Sequence, residues 1–311
     1  MTDSLDITGQ VRRLRHLSFL LYCTAAWMST VASANEPMTL RAYMELSGPA
    51  PTAHIAYGSA PSQYVELFLP EGNGPFPVAV LVHGGCWVLR NGGIEQMRNP
   101  AAALIAQGIA VWSVEYRRLD ETGGGYPGTY LDMSAALDTL TVQAASYRLD
   151  TQRLVAIGHS AGGFLVQWAA GRARLPASSP LYEPHPLPIR EVISLGGLGD
   201  LRRQRGLVRD ACARDVGELT GRPSAGRPDV YLDTSPAELL PNGSHIVLIN
   251  GQLDTIVPPQ VAIDFARRAR KAGDAAETVI LPRASHFDEI AATSPAWNLI
   301  LPFIQKALGI D

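Results

Sequence analysis

Lysine is nearly missing from this chain. Of 26 basic residues only Lys271 and Lys306 are lysine, and the arginines form no basic tract. With a formal net charge of −3, the chain lacks the electrostatic footprint of a nucleic-acid binder. Charged residues make up only 18% against 46% hydrophobic, which is too little charge for disorder and enough apolar material for a large core. There are three cysteines, and no cysteine or histidine cluster has metal-ligand spacing, so neither a metal nor a cofactor is expected. Internal repeats are absent too. The one candidate for a membrane segment, Leu17 to Trp27, is short, and Ser29, Thr30 and Ser33 dilute its C-terminal flank; an anchor needs about 20 apolar residues.

That same stretch has a positive reading. Arg12, Arg13 and Arg15 precede it, and Ala32-Ser33-Ala34 closes it. Basic, apolar, then small is the plan of a secretory signal peptide. Residues 1–34 are therefore expected to be removed, leaving a domain over 35–311 that is exported to a periplasmic or extracellular space, with no stable membrane insertion. Cleavage leaves Cys86 and Cys212, an even pair that invites a bridge in an exported protein. A bridge at Cys86 would constrain a glycine-rich loop that reads as part of an active site, so the expectation is two free thiols.

The most informative segment is Gly158-His159-Ser160-Ala161-Gly162. It follows the apolar run Arg153 to Ile157 and precedes a helical-looking run, Gly163 to Ala173. A strand, a sharp turn and a helix put the Ser160 hydroxyl at the top of a sheet, with the helix's partial positive charge behind it. The flanking glycines are required because a side chain there would strike the neighbouring strand or helix. A serine needs a base, and behind this kind of turn the acid and the histidine follow in chain order. Of the later histidines, His185 lies in a proline-bracketed loop and His245 opens a strand-like run. His286 sits in a short loop after Thr278 to Leu281 and is the base. Asp254, in the turn after Ile246 to Asn250, is the acid. Asp288 is read as a cap of the last helix, and Asp200 and Asp233 as weaker rivals for the acid.

The run Pro77 to Val82 reads as a parallel strand buried on both faces. It leads into His83-Gly84-Gly85-Cys86-Trp87. The amides of Gly85 and Cys86, with that of Ala161, are the expected oxyanion donors; one such donor is worth roughly 3 kcal/mol of barrier. His83 is read as a hydrogen bonder that holds this loop. Trp87 and Tyr126 are the expected substrate-binding walls. Gly123 to Gly128 satisfies G-x-G-x-x-G but lies too far from a first strand to bind a dinucleotide.

Taken together, these motifs, with Glu115-Tyr116-Arg117-Arg118, Pro258-Pro259 and Ser285-His286-Phe287-Asp288, resemble the serine esterases of the α/β-hydrolase fold. The HGG-type branch is the nearest, with hormone-sensitive-lipase-like and kynurenine-formamidase-like members, and the match spans roughly residues 60 to 309. Cys86 stands where the first group usually carries a third glycine, which points toward the second. The resemblance implies an α/β architecture: a mostly parallel central sheet with helices on both faces. Strands at 78–82, 109–115, 153–157, 191–195, 246–250 and 277–281 fit it, as do helices at 95–107, 129–146, 163–173, 259–272 and 295–308. Residues 35–60 read as extended edge structure and as no lid. Residues 198–244 form either a small cap or a solvated excursion, with Arg202, Arg203, Arg205 and Arg209 on a solvated face. The implied activity is hydrolysis of small esters, or of formamides and other amides, by Ser160, His286 and Asp254. The cap's paucity of large apolar side chains adds an expectation of short acyl chains.

Overall fold

Val78, Val80 and Val82 point to one side of their strand and Ala79 and Leu81 to the other, and each set belongs to a different buried apolar cluster. This period of two divides the whole molecule. The computed structural model describes residue 1 and residues 36–310. The leader expected at 1–34 therefore lies, beyond Met1, outside the described residues. Among the described residues no helix is long and apolar enough to cross a membrane.

In chain order the elements are α1 (Leu40–Met44), β1 (Ala53–Ala56), β2 (Tyr64–Phe68), β3 (Phe76–Val82), α2 (Ile94–Ile105), β4 (Ala110–Val114) and α3 (Gly128–Gln143). Then come β5 (Leu149–His159), α4 (Ala161–Ala170), β6 (Glu191–Leu195), α5 (Arg205–Cys212) and α6 (Val216–Thr220). The chain closes with β7 (His245–Gly251), α7 (Gln260–Ala272), β8 (Ala275–Leu281) and α8 (Trp297–Leu308). The eight strands form one sheet in the order β1-β2-β4-β3-β5-β6-β7-β8. β1 pairs antiparallel with β2, and β2 with β4; every pair from β4 to β8 is parallel. This is the α/β-hydrolase architecture.

One face of the sheet packs against α3, α4 and α7, the other against α2 and α8. α7 buries Ala262, Phe265, Ala266 and Ala269, the spacing of a single apolar stripe. α4 has every residue buried, so it presents no polar face and runs through the centre of the core. The expected edge structure at 35–60 needs correction. It holds the edge strand β1 but also α1, whose Tyr43 is buried in the second cluster.

Candidate active site

Ser160 sits between β5 and α4 with φ 53° and ψ −117°, a positive-φ setting that costs a side-chain-bearing residue free energy and clusters at functional sites. The surroundings enforce it. A Cβ on Gly158 would lie 2.1 Å from the Gly162 carbonyl oxygen, and one on Gly162 would lie 2.1 Å from that of Val82. The Ser160 N–H donates to the Leu195 carbonyl at 2.8 Å, which ties the turn to β6.

Asp254 and His286 meet across the turns that follow β7 and β8. The His286 Nδ1 lies 2.7 Å from Asp254 Oδ2, with both side chains buried. The other oxygen of Asp254 accepts the amides of Ile256 and Val257, each at 2.8 Å. Two amides and an imidazole thus fix the carboxylate in one orientation. His159, next to the serine, faces the His286 carbonyl with its Nε2 at 2.9 Å. Burial, and then the neighbouring His286, push its pKa well below the usual histidine value. His159 is therefore a neutral donor that holds the backbone of the His286 loop.

The two rivals for the acid are engaged elsewhere, Asp200 with Arg268 at 2.7 Å and Asp233 with Arg227. Asp288 does not cap α8, whose N-cap is Ala296. It accepts instead from the amides of Met38 and Ser285, at 2.9 Å each, and from the Ser294 hydroxyl at 2.7 Å. The Ser285 hydroxyl donates to the Met38 carbonyl at 2.7 Å. The segment before α1 is therefore stitched to the loop that carries His286.

The loop after β3 is unusual in its backbone. Gly85, Cys86 and Trp87 have φ of 104°, 54° and 55°, three successive residues in the region that favours glycine. His83 braces the loop as expected. Its Nε2 is 2.8 Å from Glu115 and its Nδ1 2.7 Å from the Gly84 carbonyl, and its ring stacks on Tyr116 at 4.3 Å. Burial raises the pKa of Glu115, but His83, Arg118 and the Tyr116 amide outweigh it and hold the pKa at about 2.

Ser160, His159 and His286 open on a cavity of about 270 Å³. Gly85 and Cys86 line it, as do Leu40, Tyr43 and Phe287, and Ala211 and Cys212 of α5. A recess of about 10 Å³ adjoins it between Trp87, Ala161, Leu207, Val208 and Ile256, room for about one water. Trp87 is fully buried there, edge-on to Phe164.

Several expectations are corrected here. Cys86 and Cys212 are bridged, with Cα atoms 5.4 Å apart; the constraint on the loop that argued against a bridge is what the fold imposes, pinning α5 over the cavity. Tyr126 does not reach the cavity. Its ring lies under the Arg227 guanidinium at 4.0 Å and its amide donates to the Glu218 carbonyl, so it anchors the 198–244 segment instead. The 198–244 segment, read as a small cap or a solvated excursion, offers Leu207, Val208 and Ala211 to the site; the N-terminal stretch, read as no lid, offers Leu40 and Tyr43, a contribution that was not expected. In keeping with the solvated face read for them, Arg202, Arg203, Arg205 and Arg209 do not line the cavity; Arg90, which was not singled out, does. The fold also gathers His159, His286 and Glu289, each with a potential ligand atom within 4.8 Å of the others, a grouping that sequence spacing did not reveal.

An eight-stranded sheet with a strained serine turn at a strand's end defines the α/β-hydrolase class. Residues 65–268 match the BD-FAE family model, more than half of the chain, and the protein belongs to that family. It is similar to esterase LipQ of Mycobacterium tuberculosis, 24% identical over 236 residues, 75% of this chain and 55% of the relative. The chain thus spans about half the length of that curated relative. Among solved structures it is similar to a truncated carbohydrate esterase from gut microbiota (TM-score 0.70, 20% identity, 88% of this chain and 99% of that one). It is also similar to an inhibited esterase B from Lactobacillus rhamnosis (TM-score 0.68, 20% identity, 94% and 97%). At such identities the likeness carries the fold.

Proposed function

We propose that the protein is a serine hydrolase that cleaves carboxylic esters with small acyl groups through an acyl-enzyme. The observation that carries this reading is the buried Asp254–His286 pair at 2.7 Å, with His286 facing the same cavity as the strained Ser160. In this reading His286 takes the Ser160 proton as Oγ attacks the acyl carbonyl, and Asp254 fixes the imidazole tautomer. The amides of Gly85, Cys86 and Ala161 receive the developing oxyanion. His286 then protonates the leaving alcohol, and water reverses the sequence to release the acid. The esterase names of the relatives support the chemistry. If the acyl group enters the recess of about 10 Å³ beside Ser160, short acyl groups are favoured, because a methylene contributes its roughly 0.8 kcal/mol only where it can be buried. Export belongs to the same proposal, since the Cys86–Cys212 bridge suits an oxidising compartment.

A formamide or amide substrate uses the same residues, and Cys86 in place of a third glycine is the feature that favours it. Esters and formamides of one aryl alcohol or amine, compared by kcat/KM, separate the two. On p-nitrophenyl esters, kcat/KM is expected to fall beyond about six acyl carbons, tenfold for each 1.4 kcal/mol of lost fit. A steady rise to dodecanoyl would sink the short-acyl assignment. If a fluorophosphonate fails to label Ser160, the chain is a binding protein on a hydrolase fold.

A further inference from the structure

Glu289 is fully buried, three residues after His286, and the proposed mechanism does not use it. One of its oxygens accepts the Gly251 amide at 2.6 Å, at the end of β7. The other lies 3.9 Å from His286 Nδ1 and has no hydrogen-bond partner as a carboxylate. The fold leaves room for it, since a Cβ on Gly196 would lie 2.2 Å from that oxygen and 2.8 Å from the His286 ring. A buried carboxylate with an orphaned oxygen is costly. A carboxylic acid there is less costly, because Asp254, which neighbours Glu289 closely enough to interact with its carboxyl, can accept an O–H.

We propose that Glu289 is a positioning residue: a neutral carboxylic acid that donates its proton to the Asp254 carboxylate, so that the pair holds one proton and one negative charge beneath His286. This rests on the reading of Asp254 and His286 as acid and base. The charge then stays on Asp254, which His286 Nδ1 and two backbone amides already face, and Glu289 fastens that carboxylate to the end of β7 from the opposite side. The groups around Glu289 agree. Asp254 and Asp288 are acids, His159 is neutral and His286 is already paired with Asp254. Burial first, and then the charge of Asp254, push Glu289 well above the usual carboxylate range, against the pull of the Gly251 amide. Asp288 is also raised by burial, but hydrogen bonds from Ser294, Ser285 and Met38 outweigh this and keep it ionised.

Two variants and one spectrum test this. Glu289→Leu keeps an apolar side chain of similar reach and removes the donor, so kcat should fall about 10- to 100-fold with KM within about twofold. Glu289→Gln donates to Asp254 and accepts from Gly251, so it should recover most of that loss. Its acid limb of kcat/KM against pH should stay within about 0.3 unit of wild type, because one neutral group replaces another. An ionised Glu289 predicts otherwise: losing an anion 3.9 Å from Nδ1 would move the limb to lower pH by about one unit or more, and that shift would overturn the proposal. So would a Gln variant as slow as the Leu variant. Infrared spectra at neutral pH provide a readout independent of turnover. A protonated-carboxyl stretch present in wild type and missing in Glu289→Gln is expected, and its absence from wild type overturns the proposal. If that band is present but Ser160→Ala still hydrolyses esters, it is the assignment of the reaction that fails.

Discussion

Ser160 and Asp254 leave the ends of β5 and β7, strands hydrogen-bonded on both sides within the sheet. The walls of the cavity come from α1 and α5, helices of five and eight residues. Helices that short are marginal alone, so each wall depends on a few distant links. For α5 the link is the bridge to Cys86. For α1 it is the Met38 contacts to Asp288 and Ser285 and the stacking of Tyr43 on Phe287 at 5.3 Å. In the proposed reading the reacting groups are thus set by the sheet, while the shape of the space above them is set by tethers. The difference implies that rate and fit can be broken separately.

The largest effect should fall on the reacting end. Ser160→Ala is expected to lower kcat by about 10⁴-fold or more, with an unchanged circular dichroism spectrum, and His286→Ala should lower it comparably because the two act as a unit. Activity within tenfold of wild type in a folded Ser160→Ala would remove the basis of the comparison.

Breaking a tether should act on stability first. Cys212→Ser opens a link across 126 residues of sequence, which in a chain-entropy account costs about 4–5 kcal/mol. Urea unfolding with and without reductant measures it: reductant should destabilise wild type and leave the variant where it was. The surviving folded fraction should still label at Ser160 with a fluorophosphonate but show a raised KM. An unchanged unfolding midpoint would mean that α5 is held by its apolar face alone.

Glu115 lies between the two regions, bracing the loop that carries Cys86. Its pKa is about 2 in the fold, against a reference value of 4.5. A depressed carboxylate contributes stability that is fully present above its unfolded pKa and lost as pH falls through the folded one. The contribution is on the order of 3 kcal/mol, lost from about pH 4.5 down toward 2. Glu115→Gln should therefore be less stable than wild type at pH 7, and the gap should narrow as the pH drops through that window. A gap independent of pH would assign the loss to packing.

These two regions were also unequally legible in the sequence. The elbow, the histidine loop and the loop after β3 follow apolar runs that form strands of the sheet; Gly158 and Gly162 mark where a Cβ would strike backbone, and Gly85 where φ turns positive. Local pattern carries such features. The walls left weaker traces. α1 is too short to show a period, and Leu207, Val208 and Ala211 are interleaved with arginines that dominate the composition of their segment. Tyr126 looked like a wall because its glycine-rich loop suggested a pocket edge, but which aromatic faces a cavity depends on contacts such as Arg227, a hundred residues away. The even cysteine pair was the one signal available for the bridge, and it was outweighed by a local argument about loop strain. Glu289 had only its spacing from His286 to mark it.

The smallest expected effect sharpens the comparison most. Leu40 lines the cavity yet is 45% exposed, so it gives only part of its surface to anything bound there. Full burial of a leucine is worth about 1.5–3 kcal/mol; a half-buried one should contribute about 1 kcal/mol, or roughly fivefold in kcat/KM. Leu40 belongs to the tethered wall, in the same helix as Tyr43, and lines the cavity with Tyr43 and Phe287. Leu40→Ala should therefore penalise esters whose leaving group or acyl chain reaches that wall and spare the smallest acetyl esters by comparison. The ratio of kcat/KM for butyryl to acetyl esters, and for bulky to small alcohols at fixed acyl group, locates which end of the substrate lies there. One ratio should fall about fivefold while the other holds. An equal fall in both, with labelling of Ser160 slowed to match, would mean that Leu40 acts through the Met38 tether on the His286 loop, and that the wall and the reacting end are one unit.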